Sequence, residues 1–175
     1  MNVLRKIRKI IDTVNHWVGT VAKFTLIAIL FCLSFEVIAR YLFNSPTIWA
    51  MDMSLQFLCA LGALGGAYAL LYNQHVRVDV FWGSWSDKKR AVVDLCTSVL
   101  FFIYMCFMVY QTIIMAQDSW TFQERMASVF APPLYYVKTL IPIGAILLLL
   151  QGIAKLIHDI MVLVTGQSED MRYID

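Results

Sequence analysis

Apolar positions along the chain gather into four long runs: Val21–Phe43, Met51–Tyr72, Ala91–Ala116 and Leu134–Ile157. A helix crossing about 30 Å of hydrocarbon needs roughly 20 residues, and each run reaches that length. Lipid offers backbone groups no hydrogen bonds, so the runs are predicted as helices. A barrel would instead need short alternating strands. Before the first run, Val3, Leu4, Ile7, Ile10, Ile11, Val14, Trp17 and Val18 recur at helical spacing, while Arg5, Arg8, Lys9, Asp12 and Asn15 fill the other faces. Residues 1–20 therefore read as an amphipathic helix in the interface, able to serve as a docking arm, or as a continuation of the first span. The stretch "HVRVDVFWGSWSDKKR", residues 75–90, alternates apolar and polar from Val76 to Val80. A lone strand between two spans has no partner. An interfacial turn anchored by Trp82 and Trp85 is predicted there.

Composition agrees with this pattern. The 175 residues are 60% hydrophobic and 15% charged, with mean hydropathy +0.68. The class is an all-α integral membrane protein built as a single membrane domain, 1–175. Its predicted parts are the 1–20 segment, spans at about 21–43, 51–72, 91–116 and 134–157, and a tail at 158–175. A net charge of +2 is too small to argue for nucleic acid. Its distribution is more informative. Arg5, Lys6, Arg8 and Lys9 precede span one, Arg77, Lys88, Lys89 and Arg90 follow span two, and Lys155 and Arg172 sit at the end. The turn 44–50 has no basic residue, and the loop 117–133 has only Arg125. The positive-inside rule predicts both termini in the cytoplasm. The first run is too long for a signal peptide and lacks a small-residue cleavage site, so it is predicted to stay as an anchor.

Charges inside or beside the spans are the candidate chemistry, because an unpaired ionisable group there costs about 2.5–3.5 kcal/mol. Glu36 is the deepest acid, and Arg40, four residues on, shares its helical face. Asp52 opens span two across a short turn, within reach of Arg40 from the neighbouring helix, and whether the three charges pair within the chain or between subunits is left open. One reading makes Glu36 a proton or ion site. The other makes Glu36, Arg40 and Asp52 an ion-pair cluster that fixes the hairpin or meets another subunit. A nearby arginine lowers a carboxylate's proton affinity, which favours the second. Within "NSPTIW", Pro46 stops helical continuity, Asn44 and Ser45 form the turn, and Trp49 is an interfacial anchor, as is Trp17. Gly62 and Gly66 form a GxxxG, Ala63 and Ala67 repeat the spacing, and this dense small-residue run predicts a tight helix contact. Asp94 is expected to pair with Arg77, Lys89 or Arg90. Pro132 and Pro133 suit a loop and first helical turn, Pro142 is predicted to kink span four, and Lys138 to reach the interface. The loop "SWTFQERMASVFAPP" offers Trp120, Glu124 and Arg125 as docking candidates. Cys32, Cys59, Cys96 and Cys106 lack metal spacing and read as small apolar core residues. His16, His75 and His158 fall at the edges of spans, which argues against haem. No HExxH, GxSxG or phosphate loop occurs, so neither a cofactor nor an enzyme activity is predicted.

The motifs "RYLFNSPTIWAMD", "LGALGGAYALLYNQHVRVDVF" and "PPLYYVKTLIPIGAILLLLQG" appear in order across about residues 20–160. On these the chain resembles the small membrane subunit (DctQ-type) of tripartite ATP-independent periplasmic (TRAP) transporters. Many relatives have a glutamate pair where this chain has Met51 and Asp52. The resemblance implies a scaffold subunit in the bacterial inner membrane, paired with a large elevator subunit (DctM-type) that holds the substrate and sodium sites. It also implies help in receiving a periplasmic substrate-binding protein (DctP-type) for import of a small organic anion, a carboxylate or sulfonate. The stretches "VRVDVFWGSWSDKKR" and "KTLIPIGAILLLLQG" resemble those of relatives handling mannitol-like, lactate or 2-oxoacid substrates. The alternative is a self-sufficient four-helix exporter of the small multidrug type that uses Glu36.

Overall fold

The computed structural model describes residues 2–72 and 87–165, with side chains for 5–72 and 97–161. Four helices make up these residues: α1 (Asn2–Tyr41), α2 (Ala50–Leu71), α3 (Asp87–Thr121) and α4 (Tyr135–Thr165). All four are long and apolar enough to cross a membrane. The protein is a multi-pass membrane protein. The expected turn at Trp82 and Trp85, together with His75, Asp94 and its basic partners, lies outside the described residues or side chains.

Residues 2–20 and the first span form one helix of 40 residues, about 60 Å long. Of the two readings of this segment, the continuous one is seen. No proline interrupts it, and its polar residues find partners on α4, so it has no need to lie flat. α1 and α2 form one hairpin and α3 and α4 the other; α2 packs on α4, and α1 reaches α4 less extensively. The central helices are thus α2 and α4, with α1 and α3 flanking them. Large apolar side chains cover the outer faces of the flanking helices, among them Phe24, Ile27, Phe31, Leu100, Ile103 and Phe107. In water such faces would drive aggregation; in a bilayer they are the solvated surface.

The tight helix crossing is made by a glycine other than the expected pair. A Cβ on Gly144 would lie 1.9 Å from the Ala63 carbonyl oxygen, so α4 passes directly over the backbone of α2 there. Among the described residues, a Cβ on Gly62 would meet nothing within 4 Å, and one on Gly66 only the Leu148 side chain at 3.8 Å. The tight contact expected of this small-residue run is thus made at Ala63 and not at Gly62, while Gly66 is in ordinary contact with Leu148. Small residues crowd α2 on more than one face, and α4 meets the face carrying Ala63 and the buried Ala60 and Ala67. Pro142 continues inside α4, leaving the Lys138 carbonyl without its intrahelical donor two residues before that crossing begins. Cys32 is buried, as expected of a small apolar core residue, whereas Cys59 and Cys106 are exposed. A weakly polar thiol is equally compatible with a lipid-facing position.

A second tie joins α1 to α4 far from the hairpin turns. Asn15 Nδ2 donates to Gln151 Oε1 at 2.6 Å, Gln151 Nε2 donates to Asp12 Oδ1 at 2.9 Å, and Arg8 Nε lies 3.5 Å from Asp12 Oδ2. Asn15 and Gln151 are only 1% and 3% exposed, so their amides depend on each other. Removing one partner of a buried hydrogen bond costs about 1–3 kcal/mol. Gln151→Leu is expected to lower the stability of the purified chain by about 2 kcal/mol. Adding Asn15→Leu is expected to cost less than the sum of the two single changes, as a double-mutant cycle on thermal melts would measure.

Candidate functional site

The turn between α1 and α2 and the loop between α3 and α4 lie at the same end of the molecule, and the candidate residues gather there. Glu36 sits one turn before the last turn of α1 and is 8% exposed. Arg40, one helical turn later, donates from Nε to Glu36 Oε1 at 2.9 Å and from Nη2 to the same oxygen. Glu36 Oε2 accepts the Thr47 backbone N–H at 3.0 Å and the Thr47 hydroxyl. One carboxylate thus holds its own helix and the returning chain together. The turn is built for this. Asn44 takes the left-handed conformation at φ 51°, which asparagine tolerates, and the Ser45 N–H reaches back to the Ala39 carbonyl at 3.0 Å. Phe35 and Trp49 pack their rings 5.6 Å apart across the hairpin. The side chain of Arg40 remains 55% exposed.

Asp52 does not join this pair. It is 7% exposed and accepts a hydrogen bond from the Ser128 hydroxyl, whose oxygen in turn accepts the Ala131 N–H at 3.1 Å. The Arg40–Asp52 contact that the sequence left within reach is not made. Asp52 lies in the first turn of α2, where the helix dipole favours an acid, and it faces the α3–α4 loop. Arg40 already has a nearer acid on its own helix. One turn on, Gln56 Nε2 donates to the Pro133 carbonyl at 3.2 Å, a second anchor between α2 and that loop.

The loop itself has a defined internal structure. Met126 N–H bonds the Pro132 carbonyl at 3.0 Å, Leu134 N–H bonds the Glu124 carbonyl at 2.9 Å, and an isolated antiparallel bridge pairs Arg125 with Pro133. Arg125 Nη1 donates to the Ala131 carbonyl at 3.3 Å. Glu124 forms an ion pair with Lys138 in the first turns of α4. The side chains of Phe122 and Val129 are 78% and 86% exposed on this loop. Beneath it, Trp120 Nε1 donates to Thr139 Oγ1 at 2.8 Å, and its ring lies 4.6 Å from Tyr135 and 5.6 Å from Tyr136. Trp17 stands apart on α1, 64% exposed.

The Lys138 ammonium beside Glu124 holds that carboxyl below the usual carboxylate range. A carboxyl whose proton affinity is lower folded than unfolded stabilises the fold above its unfolded value, about pH 4.3. That contribution is lost as pH falls through the lower, folded value. Thermal melts of wild type and Glu124→Gln are therefore expected to differ most near neutral pH and to converge in acid.

Neither helical spacing nor motif order pointed to Thr47 as a partner of Glu36, to Ser128 as the partner of Asp52, or to the Asn15–Gln151 pair. The only signal for Gln151 was its place in the last span of the resemblance. Among the described residues, no group of three or more His, Cys, Asp or Glu is placed to hold a metal. His16 Nδ1 lies 2.8 Å from the Tyr72 hydroxyl, and His158 Nδ1 lies 3.3 Å from Asp159 Oδ1. What the site can do chemically is hold: Glu36, Asp52 and Glu124 are each engaged by fixed donors.

A family model described as "Tripartite ATP-independent periplasmic transporters, DctQ component" matches residues 29–161. The chain belongs to the DctQ family. This DctQ chain is a TRAP transporter small subunit, a transporter component and not an enzyme. It is 21% identical over 172 residues to the sialic acid TRAP transporter small permease protein SiaQ of Vibrio cholerae serotype O1, covering 98% of this chain and 95% of that protein. It is also 24% identical over 95 residues to the sialic acid TRAP transporter permease protein SiaT of Haemophilus influenzae, covering 54% of this chain. The chain spans 15% of the length of that permease.

Proposed function

We propose that this DctQ chain is the scaffold subunit of a TRAP-type secondary transporter in the bacterial inner membrane, with both termini cytoplasmic. It pairs with a large DctM-type elevator subunit and helps dock a DctP-type periplasmic binding protein for sodium-coupled import of a small organic anion. The observation that carries this reading is the state of Glu36. The deepest acid has both carboxylate oxygens engaged, by Arg40 on one side and Thr47 on the other. An exporter that cycles protons and cations through Glu36 needs that carboxylate free; a scaffold needs it engaged. The anion class is supported by the names of the two relatives, both of which specify sialic acid, a carboxylated sugar. Sialic acid is neither mannitol-like nor a lactate, while its open-chain form is a 2-oxoacid, one of the classes to which the motifs inclined. The ordered α3–α4 loop, bearing Glu124 and Arg125 with Trp120 at the end of α3 beneath it, supplies the docking surface for the binding protein.

The test is to purify the tagged chain from its native membrane and identify what accompanies it. A large multi-span partner is expected, and a pure homodimer would overturn the reading. Reconstitution with that partner, a binding protein and a sodium gradient is then expected to import an organic anion, with sialic acid the first to try. In this system Arg40→Ala is expected to weaken assembly. Intact assembly with lost sodium coupling would instead place Arg40 in the transport chemistry.

A further inference from the structure

The side of α3 that faces away from α4 carries a polar stripe within an apolar surface. Thr97, Tyr104, Gln111 and Asp118 recur every seven residues, and all four are exposed. Seven residues turn a helix through nearly two full turns, so the four side chains form one slowly drifting line. Leu100 and Phe107, 71% and 66% exposed, and the half-buried Ile114 run beside it at the complementary heptad positions. This is the pattern of a helix-packing seam. The buried side of α3, with Met105, Thr112, Ala116 and Ser119, is already used against the rest of the chain.

Depth makes this seam informative. Trp120, Tyr135 and Tyr136 form an aromatic cluster of the kind found at the membrane–water boundary. Gln111 lies nine residues below Trp120 on α3, about 14 Å at helical rise. Half the hydrocarbon layer is about 15 Å, so Gln111 stands near its centre. Its side chain makes no hydrogen bond to a described residue. Hydrocarbon cannot satisfy an amide at that depth, and the side chain is too short to reach the boundary. A protein helix can satisfy it.

We propose that the Thr97–Asp118 stripe of α3 is the seam on which a membrane-spanning helix of the large subunit packs. That helix would offer a hydrogen-bonding side chain at the depth of Gln111 and a cation or hydroxyl donor opposite Asp118. The inference rests on the assembly reading above and deepens it by naming the contact face. A second copy of this chain fits less well. A two-fold axis along the membrane normal would set Asp118 against Asp118, and like charges at matching heptad positions repel.

The test uses the small and large subunits co-expressed in their membrane, with a photo-crosslinking benzoylphenylalanine at Gln111 and, for comparison, at Phe31 on the exposed face of α1. An adduct between position 111 and the large subunit is expected. Gln111→Leu is expected to reduce the co-purified large subunit several-fold while leaving the melting temperature of the isolated chain unchanged, because Gln111 has no hydrogen-bond partner among the described residues. An adduct from position 31 but not 111, an adduct with a second copy, or unchanged co-purification of Gln111→Leu would overturn the seam while leaving the assembly reading intact. Absence of any large subunit from the wild-type purification would overturn both.

Discussion

Gly144→Val is expected to force α4 off α2, with the largest loss of stability of any single substitution considered. The added Cβ alone would lie 1.9 Å from the Ala63 carbonyl oxygen and 2.6 Å from its carbonyl carbon. Those atoms are backbone, held by the hydrogen bonds of α2, and cannot rotate aside as a side-chain tip would. Overpacking typically costs 1–3 kcal/mol, and a clash with backbone belongs at the upper end, about 3 kcal/mol. The α2–α4 contact joins the two hairpins, so its loss should also lower the yield of folded chain. Thermal unfolding of the purified chain in detergent measures the effect. Gly62→Ala is the control. It adds a Cβ where nothing among the described residues lies within 4 Å, and a change of no more than about 0.5 kcal/mol is expected. Equal melting temperatures for Gly144→Val and wild type would show that the crossing is not tight.

Glu36→Gln is expected to loosen the α1–α2 hairpin. The carboxylate accepts from four donors, two on Arg40 and two on Thr47. A glutamine keeps one accepting oxygen and turns an NH2 toward donors on the other side. The Thr47 N–H and hydroxyl, or the Arg40 guanidinium, then lose their acceptor. Trypsin cleaves after arginine, so cutting at the Arg40–Tyr41 bond reports the state of the turn. Several-fold faster cleavage is expected for Glu36→Gln than for wild type, together with a lower melting temperature. Arg40→Ala is expected to lower the melting temperature less, because it removes a half-exposed donor and leaves the Thr47 contacts in place. An unchanged melting temperature in Glu36→Gln, paired with lost transport from this chain alone, would revive the exporter alternative.

These two expectations differ in how far the sequence foreshadowed them. Glu36 and Arg40 were legible as a pair because their four-residue spacing places them on one helical face whatever the fold. Gly144 was not. It sits two residues after Pro142 in a run read for its kink, while the denser small-residue pattern at Gly62 and Gly66 drew attention to α2. Small residues permit close approach, but they do not say which of several small faces a neighbour will choose. Asp52, within reach of Arg40 by sequence, does not meet it for a related reason. Nearness in sequence placed it beside the hairpin, but the direction its side chain takes from the first turn of α2 depends on where the α3–α4 loop folds back. Ser128 is 76 residues away.

What the sequence by itself determined was the all-helical class and four segments long and apolar enough to span. Those follow from transfer of about 20 apolar residues into hydrocarbon and from internal satisfaction of the backbone, both properties of a local stretch. The order of its motifs also identified the family. Tertiary structure alone decided which helices lie at the centre, which glycine makes the close crossing, and which polar groups meet: Asn15 with Gln151, Asp52 with Ser128, Glu124 with Lys138. The physical reason lies in the solvent. In water, one apolar face of a helix reveals which way it turns; in a bilayer nearly every face is apolar, so periodicity says little about orientation. Shape and a few hydrogen bonds between distant residues then decide how the helices pack.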